Sequence, residues 1–117
     1  MDGRTQEPVR QLLIKEFGVD YVDTITEPGP LKYLAEGANP AVLEQLKLRL
    51  DISWNKHNSR VIAVVGHAEC AGNPVDKDTH LAQMGVAIEA IKKWGFDGEV
   101  FGIWVEPVDG VWTAVRV

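Results

Sequence analysis

Two side chains able to bind a metal ion lie close together in the middle of the chain. His67 and Cys70 are three positions apart and follow the apolar run Val61–Val65 and Gly66. Imidazole nitrogen and thiolate sulfur are ligands that zinc prefers. The apolar run predicts a buried strand of a parallel sheet, and Gly66 is expected to turn the backbone at its carboxyl end, where open α/β sheets bind ligands. If a helical turn follows Gly66, the side chains of His67 and Cys70 would point in the same direction.

Cys70 is the only cysteine among the 117 residues, so an internal disulfide is excluded. Three interpretations of this cysteine stay open: a small buried hydrophobic residue, a nucleophile or a metal ligand.

Composition excludes several partners. The formal net charge is −5, and no basic stripe is present to neutralise phosphates, so nucleic acid is not expected to bind. No apolar run is long enough to cross a bilayer, and the N-terminal residues are charged. We therefore expect no membrane partner and a cytoplasmic location.

Hydrophobic spacing and turn residues divide the chain into helices and strands. The first helix is expected to begin at a Thr5 cap and to end at Gly18, and Asp109–Gly110 predicts a hairpin turn. The predicted elements are a helix ending near Phe17, a strand over Val19–Thr26, helices over Leu31–Gly37 and from Asn39-Pro40 to about Trp54, the strand Val61–Val65, a helix from about Asp78 to Trp94, and strands over Val100–Val105 and Val111–Val117.

This order predicts an α/β fold: a three-layer α/β/α sandwich with a mostly parallel sheet and an antiparallel edge strand. Residues 1–117 are long enough for one domain with a single modest core. A doubly wound sheet usually opens with a strand that leads into the first helix. Here the chain starts at the loop where that strand would end, so we expect the first strand to be missing at the N-terminus.

Two short motifs resemble those of the β-class carbonic anhydrases. The segment Gly66-His67-Ala68-Glu69-Cys70 after a buried strand resembles the zinc motif of that family. Met1-Asp2-Gly3-Arg4 resembles the tail of its other motif, a Cys-x-Asp-x-Arg placed after the first strand. The order of elements agrees over nearly the whole chain. The resemblance implies a zinc site with His67 and Cys70 as ligands.

The resemblance also implies a catalytic pair, Asp2 and Arg4. In the family the arginine holds the aspartate beside the metal, and the aspartate accepts a hydrogen bond from zinc-bound water. The family's second cysteine ligand would directly precede Met1, and the sequence does not contain it. We expect a truncation there, or else direct coordination of zinc by Asp2. The alternative interpretation of Asp2 and Arg4 is a surface ion pair at a frayed terminus.

The implied activity is hydration of carbon dioxide to bicarbonate by a zinc-bound hydroxide, with Zn²⁺ as cofactor and a homodimer or higher homo-oligomer as the assembly. One alternative is a non-catalytic relative that binds zinc or a small anion. Another is a zinc hydrolase acting on a related small molecule such as carbonyl sulfide. A nucleotide-binding module is disfavoured, because neither a Gly-x-Gly-x-x-Gly motif nor a Walker loop is present.

The remaining histidines and the tryptophans are expected to have structural roles. His80 is expected to be solvated in the first turn of its helix, with a proton shuttle or spare ligand as the alternative. His57 is expected on the surface. The tryptophans are expected to pack on core-facing positions.

Overall fold

Four helices and three strands make up the chain. The structure is a computed structural model and describes residues 1–117. The elements are α1 (Gly3–Phe17), α2 (Pro30–Glu36), α3 (Pro40–Lys56), β1 (Val61–His67), α4 (Lys77–Lys92), β2 (Glu99–Val108) and β3 (Val111–Arg116). None of the helices combines the length and the apolar character needed to cross a membrane.

The helix ends follow the sequence signals, with one correction. Gly18 ends α1 in the left-handed conformation, at φ 62°, as predicted. The side chain of Asn39 caps α3. The cap of α1 is Asp2 rather than the predicted Thr5, because the Asp2 carboxylate accepts from the backbone N–H of Arg4.

The three strands form a mixed sheet in the order β1-β2-β3. β1 lies parallel to β2, with His67 opposite Val105, and β3 lies antiparallel to β2 as the predicted edge strand. The hairpin turn forms at Asp109 and Gly110, whose φ angles of 50° and 80° suit the tight turns that join antiparallel strands. The stretch Gly102–Trp112 therefore supplies an inner and an edge strand.

Helices cover both faces of the sheet, which confirms the three-layer sandwich. Successive side chains of β1 point to opposite faces, so Ile62 and Val64 join one core while Val61, Ala63 and Val65 join the other. The larger core consists of Leu31, Leu34, Leu46, Ile62, Val64, Met84, Ala87, Ile91, Phe96, Val100 and Trp104. The smaller core, on the α1 side, consists of Leu13, Phe101, Ile103 and Val105.

The predicted strand Val19–Thr26 is wrong. Residues 19–28 belong to no helix or strand and take part in no backbone–backbone hydrogen bond. The local pattern is still that of a strand, since Val22 packs against the smaller core and Ile25 against the larger one. A strand also needs a neighbouring strand to accept and donate its hydrogen bonds, and none of β1, β2 or β3 pairs with this segment.

The predicted role of Gly66 is also wrong. Gly66 lies inside β1, and a Cβ there would come within 2.9 Å of Leu31 Cδ1, so the glycine serves close packing rather than a turn. The chain turns at Ala68 and Glu69, and Glu69 adopts the left-handed conformation with φ 58°. His67 is thus the last residue of a strand and does not share a helical turn with Cys70.

Candidate metal and catalytic site

His67 stands at the carboxyl end of β1 with one ring nitrogen already committed. Its Nδ1 lies 2.8 Å from the carbonyl oxygen of Ala68. A carbonyl oxygen only accepts hydrogen bonds, so Nδ1 carries the proton and Nε2 keeps its lone pair. This hydrogen bond to Ala68 sets the tautomer that a metal-binding histidine needs. The His67 side chain is 13% exposed, so the ring is accessible at the sheet edge.

Cys70 is buried, and its sulfur makes no disulfide. The turn behind it is firmly held, because the Cys70 carbonyl oxygen accepts from Asn73 N–H at 3.3 Å. The side chain of Asn73, 2% exposed, donates to Gln83 Oε1 on α4 at 2.6 Å. Cys70 and His67 both line the large groove beside β1. The structure therefore places the two candidate ligands at one end of the same groove.

Asp2 and Arg4 are joined by several hydrogen bonds at the start of α1. Arg4 Nη2 donates to Asp2 Oδ2 at 2.7 Å, and Arg4 backbone N–H donates to Oδ1 at 2.9 Å. The hydrogen bonds from the Arg4 side chain, followed by that from its backbone, hold the pKa of Asp2 well below its usual value. Asp2 Oδ2 lies 4.0 Å from His67 Nδ1. Three of the four predicted site residues are thus linked directly by hydrogen bonds or close approach.

Arg4 has two further partners that the sequence analysis missed. Its Nη1 donates to Glu69 Oε2 at 2.7 Å, and its guanidinium carbon lies 4.2 Å from the ring centre of Trp112. Arg4 is therefore fixed by α1, by the turn after β1 and by β3. The position of Glu69 between His67 and Cys70 could have identified it as a residue of the site. No neighbouring motif indicated that Trp112 would contact Arg4. The left-handed backbone of Glu69 is a strained conformation of the kind that concentrates at functional sites.

The loop before α2 packs directly on the turn that carries Cys70. A Cβ on Gly72 would lie 2.6 Å from the carbonyl carbon of Pro28 and 2.7 Å from Gly29 N. Real Cβ atoms do not approach backbone this closely, so only glycine fits at position 72. The segment Glu27–Pro30, predicted as a strand stop, therefore also supports the candidate site.

Gly72→Ala is expected to destabilise the protein by about 2 kcal/mol, because backbone has to shift to admit the methyl group. Gly85→Ala in α4 is the matched control: nothing lies within 4 Å of its would-be Cβ, and alanine favours a helix by up to about 1 kcal/mol. Urea unfolding should show opposite signs for the two variants. Equal effects would contradict the close contact at Gly72.

His80 is buried, which corrects the expectation of a solvated side chain. It is 2% exposed, its ring centre lies 5.4 Å from that of Trp104, and neither ring nitrogen has a hydrogen-bond partner. It shares a cavity of about 10 Å³ with His67 and Cys70. Burial lowers the pKa of His80, because charge is costly away from water. His57 is exposed as predicted, with Nδ1 2.7 Å from Asp23 Oδ2.

This burial predicts a loss of stability in mild acid. The unfolded chain takes up a proton at His80 below about pH 6.5, while the folded chain resists it, so the free energy of unfolding falls as the pH drops through that value. The slope from one group is at most about 1.4 kcal/mol per pH unit. Urea unfolding of metal-free protein at pH 7.5 and 5.5 measures it. His80→Leu should flatten the difference, and an unchanged pH dependence in that variant would contradict the assignment.

The donor types present match those of a zinc site. The Nε2 atom of His67 and the Cys70 thiol make no hydrogen bonds in the structure, and both line the groove. No group of three or more His, Cys, Asp or Glu side chains in the chain is arranged to hold a metal ion. These residues thus supply two donors that fit zinc, and the Asp2 carboxylate lies 4.0 Å from the other ring nitrogen of His67, Nδ1.

Fold and site together define a class of protein: an α/β sandwich with a histidine and a cysteine at the carboxyl end of a strand and an arginine-held aspartate beside them. Comparison with protein families matches residues 1–115 to the family described as "Putative carbonic anhydrase". The chain belongs to this carbonic anhydrase family. Searches of curated proteins and of solved structures found no match.

Proposed function

We propose that the protein hydrates carbon dioxide to bicarbonate with a zinc ion bound by His67 and Cys70. The observation that carries the proposal is the ionised Asp2 carboxylate, held by Arg4 within 4.0 Å of the His67 ring. An ionised carboxylate beside a metal ligand is placed to accept a hydrogen bond from water and to orient it. Membership of the family supports the same reaction.

Each side chain has a distinct part in this proposal. Bound zinc would act as a Lewis acid, which lowers the pKa of the water it binds to about 7. His67 offers Nε2 because Ala68 fixes its tautomer. Asp2 orients the attacking oxygen toward the small electrophilic carbon, and Arg4 keeps Asp2 charged and fixed in direction. The bonds from Arg4 argue against Asp2 as a direct zinc ligand, because coordination would compete with them.

A non-catalytic role in binding a small anion is less well supported. Free positive charge would be needed at the site, yet Arg4 already contacts the carboxylates of Asp2 and Glu69. The hydrolase alternative uses the same residues, so carbonyl sulfide belongs in the assay as a second substrate.

We further propose a cytoplasmic homodimer. The edge strand β3 offers a pairing surface, since Val111 and Val115 are exposed apolar side chains next to the hairpin.

The test combines metal content with rate. Protein purified without added metal should contain close to one zinc per chain by elemental analysis, and stopped-flow measurement with a pH indicator should show carbon dioxide hydration that a chelator abolishes. Folded protein that takes up no zinc from a stoichiometric supply would overturn the proposal. Zinc-loaded protein without hydration would leave a metal-binding role and refute the catalytic one.

A further inference from the structure

A small cavity of about 10 Å³ lies beside the two candidate zinc ligands. Four polar side chains line it: His67, Cys70, Asn73 and His80. A cavity holds a water molecule when it offers about 10 to 15 Å³ and two to four polar partners. This cavity therefore has the size and the lining for one water molecule.

His80 carries buried polar atoms that need a partner. Its side chain is 2% exposed, and neither Nδ1 nor Nε2 makes a hydrogen bond with the protein. A buried polar group without a hydrogen bond costs free energy, and such groups in native proteins are nearly always bound to protein or to ordered water. The packing of the ring against Trp104 satisfies neither nitrogen.

The backbone of Asn73 determines which ring nitrogen carries the proton. Burial lowers the pKa of His80, and the Asn73 backbone acts in the opposite direction and raises it. Only a hydrogen-bond acceptor favours the protonated ring, so the Asn73 carbonyl oxygen faces one nitrogen, although short of a regular hydrogen bond. This oxygen accepts from Val75 N–H at 2.8 Å and keeps a second lone pair for the His80 N–H.

The other ring nitrogen of His80 then needs a donor. A neutral imidazole has one N–H and one acceptor nitrogen, and the N–H is directed at Asn73. His67 cannot donate, because its Nδ1 proton is bound to the Ala68 carbonyl and its Nε2 has only a lone pair. The Asn73 side-chain amide donates to Gln83 at 2.6 Å. A water molecule in the cavity supplies the O–H that the ring requires.

We propose that one water molecule occupies this cavity, donates a hydrogen bond to the free ring nitrogen of His80 and bridges it to Cys70 Sγ. Cys70 lines the same cavity, is buried and makes no disulfide. The second O–H of the water is available to the sulfur. His80 is then a positioning residue, because it holds the water that holds the cysteine. The effect on metal binding rests on the proposed function, whereas the water site itself does not.

Another buried nitrogen without a hydrogen bond, Trp104 Nε1, is accounted for separately. Trp104 does not line the cavity. The pKa of Glu106 is lowered by a hydrogen bond from Lys77 and next by the Trp104 side chain, so the indole N–H is directed at that carboxylate. The cavity therefore serves His80 and not Trp104.

A metal ion is a less suitable occupant of the cavity. His67, Cys70 and His80 all line it, yet no group of three or more His, Cys, Asp or Glu side chains is arranged to hold a metal ion. Zinc needs bonds of about 2.0–2.3 Å to every ligand, whereas a water molecule bridges groups at about 2.7–3.2 Å from each.

Magnetic relaxation dispersion of oxygen-17 water, which counts long-lived internal water molecules, tests the site in metal-free protein. His80→Leu removes both ring nitrogens, so the count should fall by about one per chain. His80→Gln keeps a donor and an acceptor and should retain the water. His57→Leu is the matched control, since His57 is exposed and outside the cavity. Equal counts in His80→Leu and the unmodified protein would overturn the proposal.

A high-resolution crystal structure of the unmodified, metal-free protein decides the matter even where His80→Leu does not fold. A density peak is expected about 2.7–3.2 Å from one ring nitrogen of His80 and within hydrogen-bonding distance of Cys70 Sγ. A ring that contacts protein atoms alone would refute the water site, and a peak remote from the sulfur would refute the bridge.

Cobalt in place of zinc tests the effect on Cys70. The thiolate-to-cobalt absorption band reports electron density on sulfur, so loss of the hydrogen bond in His80→Leu should move the band to longer wavelength. Zinc affinity should fall about 10-fold, as it does when an outer-shell partner is lost, and His80→Gln should restore both properties. An unchanged band and affinity in folded His80→Leu would contradict the positioning role.

Two further outcomes separate this proposal from the proposed function. Complete loss of metal in both His80 variants would make His80 a direct ligand and would overturn the bridge. An unmodified protein that binds no metal would refute the proposed function, while the water count and the crystal structure would still decide the site at His80.

Discussion

Cys70→Ser should reduce the zinc content from about one per chain to below about 0.1 and weaken zinc affinity by more than about 100-fold, since even loss of an outer-shell partner of a metal site costs 10- to 100-fold. A hydroxyl is a far poorer zinc ligand than a thiolate, and serine leaves the side-chain shape nearly unchanged. Carbon dioxide hydration should fall with the zinc. Elemental analysis and zinc titration against a chromogenic chelator measure both quantities.

The histidines provide a matched control for this prediction. His67→Gln should lose zinc as Cys70→Ser does, whereas His57→Gln should retain it, because the exposed His57 side chain forms its hydrogen bond with Asp23 and with none of the candidate site residues. Circular dichroism before and after zinc addition separates loss of the site from loss of the fold. Full zinc content in folded Cys70→Ser would remove Cys70 from the proposed site.

Asp2→Asn should lower the hydration rate by about 100- to 10,000-fold, the usual contribution of a positioned acid–base group, while the zinc content stays unchanged. Asparagine keeps the shape of the side chain and is as good a helix cap as aspartate, so α1 should remain intact. It removes the negative charge that Arg4 holds beside His67. Stopped-flow kinetics of the zinc-loaded variant measure the effect.

Asp76→Asn is the matched control. Asp76 caps α4 by accepting from Thr79 N–H at 2.8 Å, so the same chemical change occurs at a helix cap outside the candidate site. Its hydration rate should match that of the unmodified protein. Equal losses in both variants would point to a general effect on folding, and full activity in Asp2→Asn would exclude the carboxylate from catalysis.

The pH dependence of the Asp2 carboxyl follows from its contacts. The hydrogen bonds from Arg4 depress its pKa in the folded chain. The stabilisation from this group is therefore complete above the ordinary aspartate pKa and is lost only as the pH falls toward the depressed value. Loss of activity in mild acid, above about pH 5, should accordingly arise from other groups than Asp2.

Much of the candidate site could be predicted because its residues are set by short motifs. His67, Cys70, Asp2 and Arg4 were all identified from the sequence. In the structure Asp2, His67 and Cys70 line one groove, and Arg4 binds Asp2 through hydrogen bonds. Glu69 and Trp112 were missed as partners of Arg4, since they lie 65 and 108 positions away along the chain.

Features that depend on neighbours a few positions apart could be predicted from the sequence. These are the glycine and asparagine helix caps, the apolar run of β1, the hairpin at Asp109 and Gly110, and the two-sided character of residues 19–26. Caps, turns and periodic burial are local, because the backbone groups they satisfy and the faces they bury lie within one or two turns or along one strand.

Which elements contact one another depends on packing between distant parts of the chain, which the local pattern does not contain. Residues 19–26 have the side chains of a strand, but no strand lies beside them, and hydrogen bonding between strands is a long-range property. His80 is buried because its helix packs over the sheet beside Trp104, although its position in the first turn suggested solvent. Gly66 serves contact with Leu31, so its role was set by packing between distant segments rather than by its own backbone.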